Sequence, residues 1–219
     1  MEGFKITIRE PGSALTHFAA MILTMIGSVP LLTKTALRLG TGDFIAMKVF
    51  VAGMILLYAA SATYHTVTLS PDRLRIFRKL DHMMIFVLIA GSYTPICVTI
   101  LGGESGTMLL RIVWLISFAG MLVNALWITC PKWLSSTIYI ALGWACAWVF
   151  GELWVKLPFS GFFWLLIGGL IYTAGGVLYA LKLKAFNNKH KYFGSHEIFH
   201  LFVMGGSFCH FIFMYFYVA

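Results

Sequence analysis

Apolar stretches of about twenty residues recur along this chain, separated by short polar segments. They lie near Ser13–Leu32, Phe44–His65, Leu80–Leu101, Met108–Ile128, Leu134–Trp154, Gly161–Leu183 and His196–Val218. A helix needs about 20 predominantly apolar residues to cross the ~30 Å hydrocarbon core of a bilayer, so each run predicts one transmembrane helix. The pattern reads as an all-α, polytopic bundle of seven transmembrane helices forming a single domain over residues 1–219. The connections are too short to hold a soluble domain. The first run follows Lys5 and Arg9, as a signal peptide would. It is long enough to span and lacks a small-residue cleavage site, and is kept as a helix. No internal repeat or low-complexity tract interrupts the series.

Composition agrees with this reading. Only 24 of 219 residues are charged, 16 basic and 8 acidic, and 60% are apolar. A soluble domain carries roughly 25% charged residues, so most of this surface is matched to hydrocarbon. The net charge of +8 does not mark a nucleic-acid binder, which needs a basic face on a soluble fold. Here Lys and Arg sit between apolar runs, where they set topology and meet lipid headgroups. With the N-terminus inside, one side holds Lys5, Arg9, Arg73, Arg75, Arg78, Lys79, Lys132, Lys182, Lys184, Lys189 and Lys191; the other holds only Lys34, Arg38, Lys48, Arg111 and Lys156. The positive-inside rule then predicts a cytoplasmic N-terminus and an outside C-terminus. Cys97, Cys130, Cys146 and Cys209 lie in or beside apolar runs without a C-x-x-C spacing, and are expected to be buried thiols rather than disulfides. The glycine doublets Gly168-Gly169, Gly175-Gly176 and Gly205-Gly206 predict close helix approach.

Ionisable groups inside a membrane are costly and persist where something satisfies them. The second run ends Ser61-Ala62-Thr63-Tyr64-His65, with Ser61 one turn deeper on the same face as His65. The third begins Lys79-Leu80-Asp81-His82, and the seventh begins Ser195-His196-Glu197-Ile198-Phe199-His200. Alternating direction brings His65, Asp81, His196 and His200 to one level near the cytoplasmic end. His196 and His200 are four apart, one turn of ~5.4 Å along a single face. Two such imidazoles chelate one ion, and a third with an open position makes the ligand set of a catalytic zinc site, where bound water reaches a pKa near 7. Asp81 could then accept a proton and Ser61 could hydrogen-bond a carbonyl or oxyanion. The same residues also suit a proton relay, and that alternative stays open at this point.

The remaining candidates fit less well. His210 lies ten residues beyond His200, about 15 Å along the helix, too far to share an ion. His17 is a neighbour on the first helix, His82 and Glu197 point about 100° away around their helices, and His190 falls in a basic loop. Gly103-Glu104-Ser105-Gly106 matches the G-x-S-G of intramembrane serine proteases. Ser105 falls in the third connection, a bilayer thickness of ~30 Å from the histidines, so a turn is the better reading. The last run has no lysine, which excludes a retinal Schiff base at the usual place.

Ser61-Ala62-Thr63-Tyr64-His65, Asp81, Gly91-Ser92-Tyr93-Thr94-Pro95, and His196 to His200 followed by Gly205-Gly206-Ser207 and His210-Phe211 resemble the hemolysin III family. This is the bacterial branch of the superfamily that includes adiponectin and progestin receptors. The likeness covers essentially the whole chain in order. It implies a zinc ion held by His65, His196 and His200, with Asp81 contacting it through water and Ser61 nearby. In the receptor branch such sites are linked to ceramide hydrolysis, as in the alkaline ceramidases; the bacterial branch is named for haemolysis and linked to membrane lipid and energy homeostasis. One departure is local: Glu10-Pro11-Gly12-Ser13-Ala14-Leu15-Thr16-His17 keeps the Glu and His of a first-helix motif but lacks its Asn.

The leading expectation is a plasma-membrane zinc hydrolase of lipid amides or esters, with Asp81 as base, Ser61 assisting the carbonyl, and the lipid arriving between helices. The rivals are a receptor or sensor with structural zinc, a cytolysin, and a proton or ion transporter. Neither the lipid nor any protein partner is identified by sequence.

Overall fold

The computed structural model describes residues 8–127, 131–181 and 194–219. Cys130, Lys5, Lys182, Lys184, Lys189, Lys191 and His190 lie outside the described residues, as do the expected run ends Ile128 and Leu183.

The helices are α1 (Pro11–Arg38), α2 (Thr41–Thr66), α3 (Pro71–Pro95), α4 (Gly103–Leu126), α5 (Lys132–Gly143), α6 (Phe150–Lys156), α7 (Phe159–Leu181) and α8 (Ser195–Phe213). A short 3₁₀ stretch, Ala145–Val149, joins α5 to α6, and the two together make one crossing. Among the described residues, seven helices are long and apolar enough to cross a membrane, as expected. Large apolar side chains such as Leu23, Ile26, Leu126 and Val155 lie on the outside, as a lipid-facing surface requires. Packing joins α1 to α2, α2 to α3, α3 to α5, α5 to α7, α7 to α8 and α8 back to α1, with α4 against α3. The ring is closed.

The third helix is longer than its apolar run. It begins at Pro71, not Leu80, so Arg73, Arg75, Arg78 and Lys79 are helical rather than part of a connection. Proline at the first helical position loses no hydrogen bond and presets φ, and Asp72 complements the positive end of the helix dipole. Pro95 ends the regular ladder. It is followed by a π-helical stretch, Ile96–Leu101, and a second such stretch, Met214–Val218, follows α8. Carbonyls loosened there still need donors inside a membrane. Lys156 Nζ donates to Leu101 O, and Lys34 Nζ donates to Tyr215 O.

Glycines set the helix distances. A Cβ on Gly53 would meet Val87 O at 3.1 Å, and one on Gly91 would meet Val49 O at 3.1 Å, so α2 and α3 cross closely at two reciprocal points. In each expected doublet one member makes the tight approach between α7 and α8: Gly168 against His210, Gly175 against Phe202 and Gly206 against Tyr172. Cys97, Cys146 and Cys209 are free thiols.

The segment expected as the third connection is shorter than predicted. Gly102 and Gly103, at φ 60° and 52°, make a turn that ordinary side chains resist. Ser105 then lies in the first turn of α4. Gly106 packs where a Cβ would stand 2.3 Å from Cys97 O. These glycines serve the turn and the packing.

Candidate metal centre

His65 occupies the last turn of α2, and His196 and His200 the first turn and a half of α8. Their donor atoms all lie within 4.8 Å of one another, so the three histidines of the expected convergence do meet. His65 and His200 are each 1% exposed. The rings of His196 and His200 are 4.6 Å apart, and His65 Nε2 and His196 Nε2 are 3.2 Å apart.

The outer nitrogens of two rings are held from α1. Glu10, just ahead of that helix, hydrogen-bonds His65 Nδ1 with its carboxylate. The Glu10 N–H donates to His65 O at 3.0 Å, and Arg9 lies over the Tyr64 ring at 4.2 Å. The hydrogen bond with His65, opposed by partial burial and aided by the charge of Arg9, holds the Glu10 carboxyl below the usual carboxylate range. It is therefore ionised and accepts from Nδ1–H, which leaves the lone pair on His65 Nε2. Thr16 Oγ1 lies 3.2 Å from His200 Nδ1. The same oxygen is 3.0 Å from the carbonyls of Gly12 and Ser13; with its one proton given to these it accepts from Nδ1–H, the tautomer that leaves a lone pair on His200 Nε2.

This donor set fits a zinc ion. A carboxylate acceptor on Nδ1, as Glu10 provides for His65, is a usual outer partner of a metal-bound histidine. Two nitrogens on a tetrahedral zinc, each ~2.0–2.1 Å from the metal, lie about 3.3–3.4 Å apart; His65 and His196 are already at 3.2 Å, while the full set spans up to 4.8 Å and would draw together around an ion.

Asp81 is 8% exposed and Ser61 1%. The glycine crossings set an antiparallel register in which Asp81 on α3 faces the turn of α2 that contains Ser61. Ser61 Oγ is near its carboxylate without completing a geometrically good hydrogen bond. His17 stacks on His200 with ring centroids 3.6 Å apart. Glu197 accepts from Ser13 Oγ at 2.5 Å and from Gly194 N–H at 2.8 Å. His210 is separate, its Nε2 3.3 Å from Leu165 O.

A cavity opens inward from the cluster. Its near end is lined by His17, Ser61, Asp81, His196 and His200, and its walls run along α3 to Ile96 and on to Phe162 and His210. From Asp81 to Ile96 is about 22 Å along a helix. His82, expected to point away, also lines it.

Residues 6–211 match the family described as "Haemolysin-III related". The chain belongs to that family. It is 32% identical over 202 residues to the "Hemolysin-3 homolog" of Bacillus subtilis (strain 168), covering 92% of this chain and 91% of that protein. It is 32% identical over 209 residues to "Hemolysin-3" of Bacillus cereus, covering 95% and 91%. The "Adiponectin receptor protein" of Drosophila melanogaster is 27% identical over 220 residues, covering 92% of this chain and 49% of that one. No solved structure gives a significant match. Family membership is what the resemblance implied. Glu10 and Thr16 are the site residues that reading from the sequence left without a role. Their signals differed: Glu10 was the retained acid of the first-helix motif, whereas Thr16 was one threonine next to His17.

Proposed function

We propose that this protein is a zinc-dependent hydrolase of lipid amides or esters, resident in the plasma membrane, with its site at the end that the basic segments assign to the cytoplasm. One observation carries the reading. Three imidazoles, two of them with Nε2 lone pairs fixed by α1, stand at the end of a largely apolar cavity that also presents Asp81 and Ser61.

Zinc held by His65, His196 and His200 supplies a Lewis acid for the carbonyl and for water. Asp81 takes a proton from the attacking water and returns it to the departing nitrogen or oxygen as the acyl bond breaks. Ser61 Oγ–H donates to the carbonyl oxygen as its negative charge grows. The lining residues run over ~22 Å of α3, more than half of the ~30 Å hydrocarbon core, the scale of one long acyl chain. Membrane lipid reaches it laterally, between helices.

The test is elemental analysis of the purified protein beside a variant with His65, His196 and His200 all changed to Ala, followed by lipid turnover with Asp81→Asn. About one zinc per chain, absent from the triple variant, and an Asp81→Asn protein that keeps zinc without turnover are the expected results. A folded, metal-free wild type never exposed to chelator refutes the reading.

A second reading has its own support. The three rings tie α2 to α8, so zinc could be a structural clasp in a receptor or sensor; tight zinc with no lipid product is its signature. The names of the Bacillus relatives favour a cytolysin, and leakage from pure-lipid vesicles at low protein density tests that.

A further inference from the structure

His17 occupies a position that none of these roles uses. It lies in the second turn of α1, 3% exposed, with its ring parallel to His200 (8° between planes) and edge-on to Tyr58 at 5.1 Å. It is not one of the three rings whose donor nitrogens converge. Both of its nitrogens are buried, and neither has a hydrogen-bond partner among the described residues. The ring forms part of the cavity wall, at the same end as Ser61 and Asp81.

A neutral imidazole carries one N–H and one lone pair, and burying them unmet incurs the desolvation cost of both. Stacking on His200 explains a flat ring but not the nitrogens, since phenylalanine would stack without that cost. The groups are met once the cavity's occupant brings a polar atom to this end. Among long-chain acyl compounds that atom is the carbonyl oxygen.

We propose that His17 is a ligand-binding residue that donates its N–H to the carbonyl oxygen of the acyl group held in the cavity. It thereby makes the site prefer an acyl amide, ester or acid over a plain hydrocarbon chain. This inference rests on the cavity being the acyl site, as in the proposed function. Ser61, from α2, supplies the second donor, so the carbonyl is gripped by α1 and α2 together.

The test uses the full-length protein in detergent, with native mass spectrometry reading zinc and bound probe together. Octadecanamide and octadecane are titrated against wild type, His17→Phe and His17→Gln. Phenylalanine keeps the stacking and removes both nitrogens; glutamine restores a donor; His17→Leu replaces Phe should the Phe variant not fold. The expected result is that wild type binds the amide more tightly than the alkane. His17→Phe then loses about tenfold in amide affinity, the loss of one good hydrogen bond, with alkane binding and zinc content unchanged, and His17→Gln recovers most of the loss. Amide binding equal to wild type in His17→Phe overturns the proposal and leaves the cavity reading standing. Loss of zinc in His17→Phe also overturns it, because the ring then serves the metal cluster. Wild type that binds neither probe overturns the cavity reading, and this inference with it.

Discussion

Replacing Glu10 by alanine tests the account of the site at the point the sequence described least. The carboxylate is the acceptor that fixes His65 Nδ1–H and turns Nε2 toward the other two rings. Removing an outer partner of a metal-bound histidine typically lowers metal affinity 10–100-fold, about 1.4–2.7 kcal/mol. His65 is 1% exposed, but the Glu10 side chain is 44% exposed. Water can therefore take the place of the lost acceptor, and the smaller figure applies: ~10-fold weaker zinc binding. Glu10→Gln keeps an acceptor but loses its charge, and a charge-assisted hydrogen bond is roughly twice as strong as a neutral one. Its loss should be intermediate. The assay is competition for zinc between the detergent-purified protein and chelators of graded affinity, at fixed pH and ionic strength. Wild-type affinity in Glu10→Ala would refute the claim that this carboxylate orients His65.

Two further outcomes follow from the same geometry. Thr16→Val removes the acceptor at His200 Nδ1, where the ring is 1% exposed and water cannot substitute; the same competition assay should show a loss of at least ~10-fold, and an unchanged value would mean that His200 is oriented by packing alone. Gly106→Ala would place a Cβ 2.3 Å from Cys97 O, a backbone atom that cannot swing aside. Overpacking of this kind costs ~1–3 kcal/mol, so thermal unfolding in detergent should begin at a clearly lower temperature, and an unchanged midpoint would contradict the close approach.

The site was partly legible before the fold was known. His65, Asp81, His196 and His200 each lie near the end of an apolar run, and alternating helix direction brings those ends together. Hydropathy reports the thickness of hydrocarbon a helix crosses, not where the helix begins. For that reason Arg73, Arg75, Arg78 and Lys79 read as a connection, although Pro71 starts α3 well before them. The same limit hid how α2 and α3 are aligned. Their register is set by Gly53 and Gly91 crossing at backbone distance, and one-dimensional patterning carries no register between helices.

By itself the sequence determined the membrane class, the seven crossings, the family and the three histidines, because the bilayer forces long apolar runs and makes each buried ionisable residue conspicuous. Only the tertiary structure decided which nitrogen of each ring faces the cluster, that Glu10 and Thr16 hold the outer ones, and that a cavity opens from it. Those facts depend on contacts between residues 55 and 184 positions apart. Such contacts exist only once the closed ring of helices has brought the start of α1 against the end of α2 and the start of α8.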